Sequence, residues 1–260
     1  MWQTVAMATT VGIRARVRAE LIQEIKDQAR RQVAEAGASA LSLRAVAREL
    51  GMVSSAIYRY FPSRDELLTA LIIDAYDDLG ATTETADGAC RSGDFTGRWR
   101  AVCHAVHDWA REHSHEYALV YGSPVPGYRA PETTIGPASR VTLALATIVR
   151  EAAAAGALSQ LFAPGRTPKL SARAAAEAER ANSADAARSG PVALLDVPGD
   201  AVVRAYAAWT QLFGFISFEL FGHLDGVIED RDAIFDQVVD DIGAFVGLPP
   251  PPRPGRQTRG

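Results

Sequence analysis

Ala47, Gly51 and Ile57 follow a spacing that narrows the possible folds of this chain to a few. A small residue, a glycine four positions later and a branched apolar residue six positions beyond it match the needs of a helix-turn-helix. Its two helices cross closely, the turn needs a residue that tolerates φ > 0, and the second helix needs an anchor in the core. That second helix is the one that can enter a DNA major groove. The spacing therefore predicts a helical DNA-binding head.

Helix signals surround this motif and continue along the chain. Apolar side chains at steps of four predict a first helix from Arg16 to Ala36. Ser42 suits the N-cap of a second helix, a third covers about Ser54 to Tyr60, and Ser63 after Pro62 caps a fourth. Later helices are predicted near residues 95–113, 117–121, 133–155, 200–224 and 230–247. Because no run alternates with period two, the fold class is all-α.

The chain is expected to divide into four parts. Residues 1–13 are uncharged and small and are predicted to be a flexible arm, followed by a head over 14–80 and a helical body over 81–247. Within the body, residues 164–198 have little to bury and are predicted to be a mobile insertion. The tail over 248–260 is rich in proline and arginine and is expected to be disordered.

Charge is distributed unevenly along the chain. From Arg14 to Arg64 there are ten basic and five acidic residues, a net charge of +5 in a protein whose total is −4. A basic head on an acidic body favours a polyanionic partner at one end. Cys90 and Cys103 have no disulfide or zinc spacing, and no signal peptide, membrane span or catalytic motif is evident. We therefore expect a cytoplasmic protein that is not an enzyme and needs no cofactor.

The stretch from Leu41 to Leu68 resembles the N-terminal domain of the TetR/AcrR family of bacterial transcriptional regulators; it reads LSLRAVARELGMVSSAIYRYFPSRDELL. Further on, the residues from Trp209 to Gly214 are similar to the W-x-x-x-H-G signature of one ligand-domain subtype in that family. Phe213 stands where this signature has histidine. The resemblance implies a head that binds double-stranded operator DNA and a body that binds a small effector and forms a homodimer.

The resemblance also assigns roles within the head. The positions that face base edges are Arg44, Ser54, Ser55 and Arg59. Those that contact phosphates are Ser42, Tyr58, Tyr60 and Arg64. For Tyr60 a partly buried role is an equal alternative, since it lies about 200° around the helix from Tyr58. Val53 replaces the Ser or Thr cap common in the family, which predicts a less tightly capped third helix.

In the body, the resemblance and the density of aromatic residues predict an apolar effector pocket and a dimer interface. The pocket residues are expected to be Trp99, Trp109, Tyr121, Trp209 and Phe213, which favour a hydrophobic or aromatic effector. The interface residues are expected to be Phe218, Phe221, Val238, Ile242 and Phe245 on the last two helices.

Three functions follow from these features. The first is a homodimeric regulator, most often a repressor in the family, that an effector releases from its operator. The second is a constitutive DNA-binding module whose body holds no pocket. The third is a metal enzyme, which needs His104, His107, His113 and His115 to converge on one open site. No metal is expected, because the histidine spacing matches no known ligand motif.

Overall fold

The structure is a computed structural model and describes residues 2–159 and 199–250, with side chains from 14 to 159 and from 204 to 250. In these residues all regular structure is helical, which confirms the all-α fold class. The helices are α1 (Trp2–Ala36), α2 (Leu43–Glu49), α3 (Ser54–Ile57), α4 (Arg64–Gly88), α5 (Phe95–Glu112), α6 (Ser114–Tyr121), α7 (Ile135–Ala154), α8 (Gly199–Leu220) and α9 (Arg231–Phe245). Within the described ranges, none combines the length and hydropathy needed to cross a bilayer.

The chain forms two compact units, here called the head and the body. The head comprises Met1–Ala75 and His115–Thr134, and the body comprises Tyr76–Ser114 and Ile135–Gly260. The sequence did not predict that residues 115–134 pack with the head. Tyr117 is fully buried there, and the Tyr128 hydroxyl makes a 2.9 Å hydrogen bond with the hydroxyl of Thr69.

The core of the head forms along one side of α1. Ile25, Ala29 and Val33 are buried at steps of four, as the apolar stripe predicts. An ion-pair cluster supports this packing on the neighbouring face, where Lys26 and Arg30 both donate to Asp74 of α4 at 2.6–2.8 Å. The cluster is partly buried and satisfied, so these two basic side chains hold the head together.

Two helices are longer than the sequence indicated. The first begins at Trp2, so the backbone of the expected arm is helical; no proline stands before Arg16 to stop propagation of the helix. The fourth continues through Gly80 to Gly88. A Cβ built at Gly80 would lie 2.5–2.8 Å from the side chain of Arg140, so this glycine permits a close approach instead of ending the helix.

The body is built from α5, α7, α8 and α9. Trp99 of α5 is 2% exposed, and its indole N–H donates to the carbonyl of Val239 at 3.1 Å. Arg98, beside it, is buried between carboxylates and donates to Asp87 and Glu151. The hydrogen bond to Asp87 and the pairing with Glu151 raise the pKa of Arg98. The guanidinium therefore stays charged in its buried setting and ties the end of α4 to α5 and α7.

The C-terminal boundary lies later than predicted. Leu248 is 2% exposed, and the carbonyl of Pro249 accepts a 2.7 Å hydrogen bond from the Thr96 hydroxyl. The first residues of the expected tail therefore belong to the body, because Leu248 fills part of its core. The rest of that tail, 251–260, and the expected insertion, 164–198, lie outside the described residues.

Candidate nucleic-acid interface

The helix-turn-helix has the packing that its spacing predicts. Ala47 and Ile57 are completely buried where α2 and α3 meet. Gly51 takes a φ of +64°, a left-handed conformation that glycine adopts at little cost. The Ser42 hydroxyl accepts a hydrogen bond from the N–H of Ala45 at 3.4 Å, which confirms Ser42 as the N-cap of α2.

The third helix is shorter than predicted and loosely capped. It covers only Ser54–Ile57, and Val53 at its N-cap makes no side-chain hydrogen bond, as expected for a residue without an acceptor. The following turn is tighter than an α-helix, since the N–H groups of Arg59 and Tyr60 bond three residues back. The residues expected to read DNA thus span α3 and this turn, residues 54–60, here called the recognition segment.

The positions expected to face bases are open to solvent. Ser54 and Ser55 are exposed at the start of α3, Arg59 is exposed in the turn after it, and Arg44 is exposed on α2. Their side chains take no part in the core formed by Ala47 and Ile57. The motif therefore presents hydroxyl and guanidinium groups outward, although contact with bases remains a prediction.

Of the residues expected to contact phosphates, one is exposed and the others already make contacts within the protein. Tyr58 is 42% exposed, while Tyr60 is half-buried and lies under the guanidinium of Arg18, 4.9 Å from its ring centroid. Arg64 donates to the carbonyls of Ala38 and Ser39 at 2.9 and 3.3 Å. These bonds hold the turn after α1, so Arg64 already has a structural role. Ser42 likewise serves its cap and is partly buried.

Arg18 contacts two of these residues, although no local sequence pattern predicts it. Its guanidinium donates to the carbonyl of Arg59 at 3.2 Å and stacks on Tyr60. The contact satisfies a carbonyl at the C-terminal end of the recognition segment. Its sequence separation of 41 residues leaves no local pattern to reveal it; the only signal is an arginine on the apolar stripe of α1.

An apolar cleft lies in the body and joins two of the expected pocket residues. It is lined by Trp99 and Trp209, by four residues of α7, and by Ala205 and Tyr206 of α8. The cleft is open to solvent, and its unfilled space is about 340 Å³ when the solvent at its mouth is included. On α7 the lining residues are Thr142, Leu145, Ala146 and Val149. This surface suits an apolar ligand.

Three other expected pocket residues lie elsewhere. Trp109 is buried, and its indole N–H donates to Asp78 at 2.7 Å. Tyr121 belongs to the head, where its ring lies tilted against that of Tyr117 with centroids 5.0 Å apart. Phe213 packs behind Trp209 with ring centroids 5.2 Å apart and is 6% exposed. These three residues do not line the cleft beside Trp99 and Trp209, because helix periodicity leaves open which core aromatics face the same space, and their role in effector binding stays a prediction.

Three of the five expected interface residues are exposed. Phe218, Phe221 and Phe245 are 56%, 45% and 38% exposed, and Val238 is half-buried. Ile242 is 2% exposed and belongs to the core of the body, so it has little surface to offer a second subunit. Ile234 adds another exposed apolar side chain to α9.

His104 and His107 each pair with a carboxylate. His107 Nε2 lies 2.6 Å from Glu219 Oε2, and its ring stacks on Phe235 at 4.0 Å. His104 lies 3.0 Å from Asp236. Within the described part of the chain, no group of three or more His, Cys, Asp or Glu side chains has the arrangement of a metal site.

Comparison with known proteins gives matches over both units. Residues 25–71 match the model of the bacterial regulatory proteins of the tetR family, and residues 99–242 match that of the tetracyclin repressor-like C-terminal domain. The HTH-type transcriptional regulators Rv1816 of Mycobacterium tuberculosis and Mb1846 of Mycobacterium bovis are each 36% identical over 87% of this chain and 92% of their own.

Solved structures agree with these matches. The regulatory protein SCO4313, known from a crystal structure, is 34% identical in sequence to this chain. The two structures match with a TM-score of 0.63 over 88% of this chain and 97% of the other. The TetR family transcriptional regulator PfmR from Thermus thermophilus shares the fold at 20% identity, with a TM-score of 0.51 over 84% and 96% of the two chains.

Proposed function

Because this chain belongs to the TetR family of DNA-binding transcriptional regulators, we propose that it is a homodimeric repressor released from its operator by a small apolar effector. The observation that carries the proposal is the outward face of the helix-turn-helix. Its buried side fixes α3, while serine and arginine side chains remain exposed on the other side. In such a dimer, each α3 enters one major groove of a half-site.

Base reading is assigned to Arg44 and Arg59. An exposed guanidinium can donate two parallel hydrogen bonds to the O6 and N7 of guanine. Arg59→Ala or Arg44→Ala is expected to cost ~1–3 kcal/mol of operator binding and to relax preference at one base position per half-site. Arg31→Ala, which removes an equal charge at the far end of α1, is the control and should weaken binding without altering base preference.

The measurement is selection of duplexes from a randomised library, followed by sequencing and binding curves for each variant. Wild-type protein should recover a palindromic site, since a two-fold dimer reads two related half-sites. Recovery of the wild-type base preferences by both Arg44→Ala and Arg59→Ala would contradict the assignment of base contacts.

The effector is assigned to the cleft between α5, α7 and α8. The wall of the cleft is apolar, and the Trp99 indole N–H already donates to the carbonyl of Val239. The cleft therefore offers few hydrogen-bonding groups to a sugar or a phosphate. A flat or lipid-like molecule of low charge is the best match. To release DNA, the effector must bind one conformation of the dimer more tightly than the other.

A screen of hydrophobic and aromatic metabolites tests this assignment. A true effector raises the melting temperature in proportion to its concentration, changes tryptophan fluorescence with the same midpoint through Trp99 and Trp209, and releases operator DNA. Ala205→Trp places an indole in the cleft and should abolish all three responses while leaving DNA binding intact. A response that persists in Ala205→Trp places the effector elsewhere.

A constitutive DNA-binding module is the second candidate, and it requires a body without an effector site. The apolar cleft beside Trp99 and Trp209 is the observation that favours the effector-responsive regulator. The metal enzyme has less support. His104 and His107 face carboxylates of different helices, and an open site of three protein ligands and water is the usual catalytic arrangement. The proposal places the regulator with its operator DNA in the cytoplasm.

A further inference from the structure

The N-terminal half of α1 carries arginines on the side that is buried further along. Helical geometry of 3.6 residues per turn places Arg18 and Arg14, seven and eleven residues before Ile25, within roughly 20° of the direction of Ile25. Ile25 is completely buried in the head, whereas Arg14 and Arg18 are exposed. The core-facing stripe of α1 therefore continues as a basic stripe past the end of the core.

Arg18 fixes the position of this basic stripe relative to the recognition segment. Its guanidinium bonds the Arg59 carbonyl and lies on the Tyr60 ring, immediately after α3. Arg14 lies one turn further out on the same side, roughly 6 Å along the helix axis. The stripe is thus continuous with the surface that presents Ser54, Ser55 and Arg59.

Among the side chains that the structure describes, neither Arg14 nor Arg18 forms an ion pair, whereas the other basic residues of α1 near them do. Lys26 and Arg30 are paired with Asp74, but they lie deeper in the head. Arg16 points about 200° away from both Arg14 and Arg18, and it pairs with Glu20 at 3.7 Å. Glu20 lies on that opposite side of α1. Two guanidinium groups next to the recognition segment match a row of phosphates in charge and in hydrogen-bonding geometry.

We propose that Arg14 and Arg18 bind the sugar-phosphate backbone that flanks the half-site read by α3. The DNA-binding surface then extends from the helix-turn-helix onto the first helix. This inference rests on the proposed operator binding. Arg18 contributes twice, because the same guanidinium positions the end of the recognition segment, whereas Arg14 lies beyond that contact.

Salt dependence of binding to the duplex selected by wild-type protein tests the proposal. Loss of one phosphate contact should lower the slope of log K against log salt by about 0.9, equivalent to about a fivefold loss of affinity at ~0.15 M salt. Arg14→Gln and Arg18→Gln should each show this change, and Arg18→Lys should retain the wild-type slope. Arg16→Gln is the matched control, with the same charge removed from the opposite face, and it should leave the slope unchanged.

A neutral methylphosphonate placed at each flanking phosphate locates the contact. At one position the substitution should weaken wild-type binding but leave Arg14→Gln unaffected. Equal slopes for wild type, Arg14→Gln and Arg16→Gln overturn the proposal, as does an equal loss for Arg14→Gln and Arg16→Gln. If Arg18→Gln lowers the melting temperature, its salt slope also reflects a weakened fold, and the slope of Arg14→Gln alone tests the proposal. Failure of wild-type protein to select any duplex contradicts operator binding itself, a result separate from these slopes.

Discussion

The thiol of Cys103 is fully buried in α5, and burial raises its pKa above the ordinary value near 9. The folded protein therefore keeps this proton at alkaline pH, while the unfolded chain releases it above about pH 9. Stability contributed by the protonated thiol is fully present below that pH and is lost as pH rises, by about 1.4 kcal/mol per pH unit. Cys103→Ala should show a shallower alkaline loss in urea unfolding than wild type. Cys90→Ala, which retains Cys103, should keep the wild-type loss.

Residues whose roles are local were predicted well from the sequence, and residues with distant partners were not. The cap at Ser42 and the small residue Ala47 depend on neighbours within a few positions, so their pattern is visible in one window. Arg18 and Arg64 instead satisfy carbonyl groups 41 and 26 residues away. No periodicity encodes such a contact, because it depends on how the helices pack.

Gly80 makes the packing of α4 against Arg140 testable at the scale of the helix. Arg140 crosses this glycine to donate to Asp77 and Glu84, one turn on either side. Gly80→Ala places a methyl group 2.5–2.8 Å from the Arg140 side chain and should force it away from these carboxylates. The expected cost is ~1–3 kcal/mol, larger than the helix-propensity gain of up to ~1 kcal/mol.

Gly88→Ala is the control, since a Cβ there meets no atom within 4 Å. Chemical denaturation of the two variants compares the costs directly. If Gly80→Ala is as stable as Gly88→Ala or more stable, Arg140 can move aside freely, and its bonds to Asp77 and Glu84 contribute little to the body.

The sequence predicted which segments are helical better than it predicted where each helix ends. Apolar periodicity identified the helices of both units, but α3 stops at Ile57, where the chain tightens into a turn before Pro62. The fourth helix continues past Gly80 because a glycine inside a helix costs only ~1 kcal/mol and tertiary packing compensates for it. Helix ends therefore depend on contacts that the local sequence does not specify.

For the whole molecule, the sequence predicted the family and the all-α fold class, but not which aromatic residues line the same cleft. Trp99 and Trp209 are 110 positions apart and line one cleft, whereas Trp109, ten residues from Trp99, bonds to Asp78 on another side of the core. The assignment of residues 115–134 to the head has the same origin, since the burial of Tyr117 follows from tertiary packing.

The proposed dimer is tested at the scale of the whole molecule, on the exposed apolar side chains of α8 and α9. Phe218 is 56% exposed on α8, so glutamate there should leave the subunit folded but place an unpaired charge in the interface. Phe218→Glu is expected to give monomers by sedimentation at micromolar concentration, with an unchanged far-ultraviolet spectrum and weaker operator binding. Val227→Glu, at a 75% exposed position between the two helices, should remain a dimer. A monomeric wild type would contradict the proposed dimer itself. A dimeric Phe218→Glu would remove Phe218 from the interface, because a surface buried between subunits does not tolerate an unpaired charge.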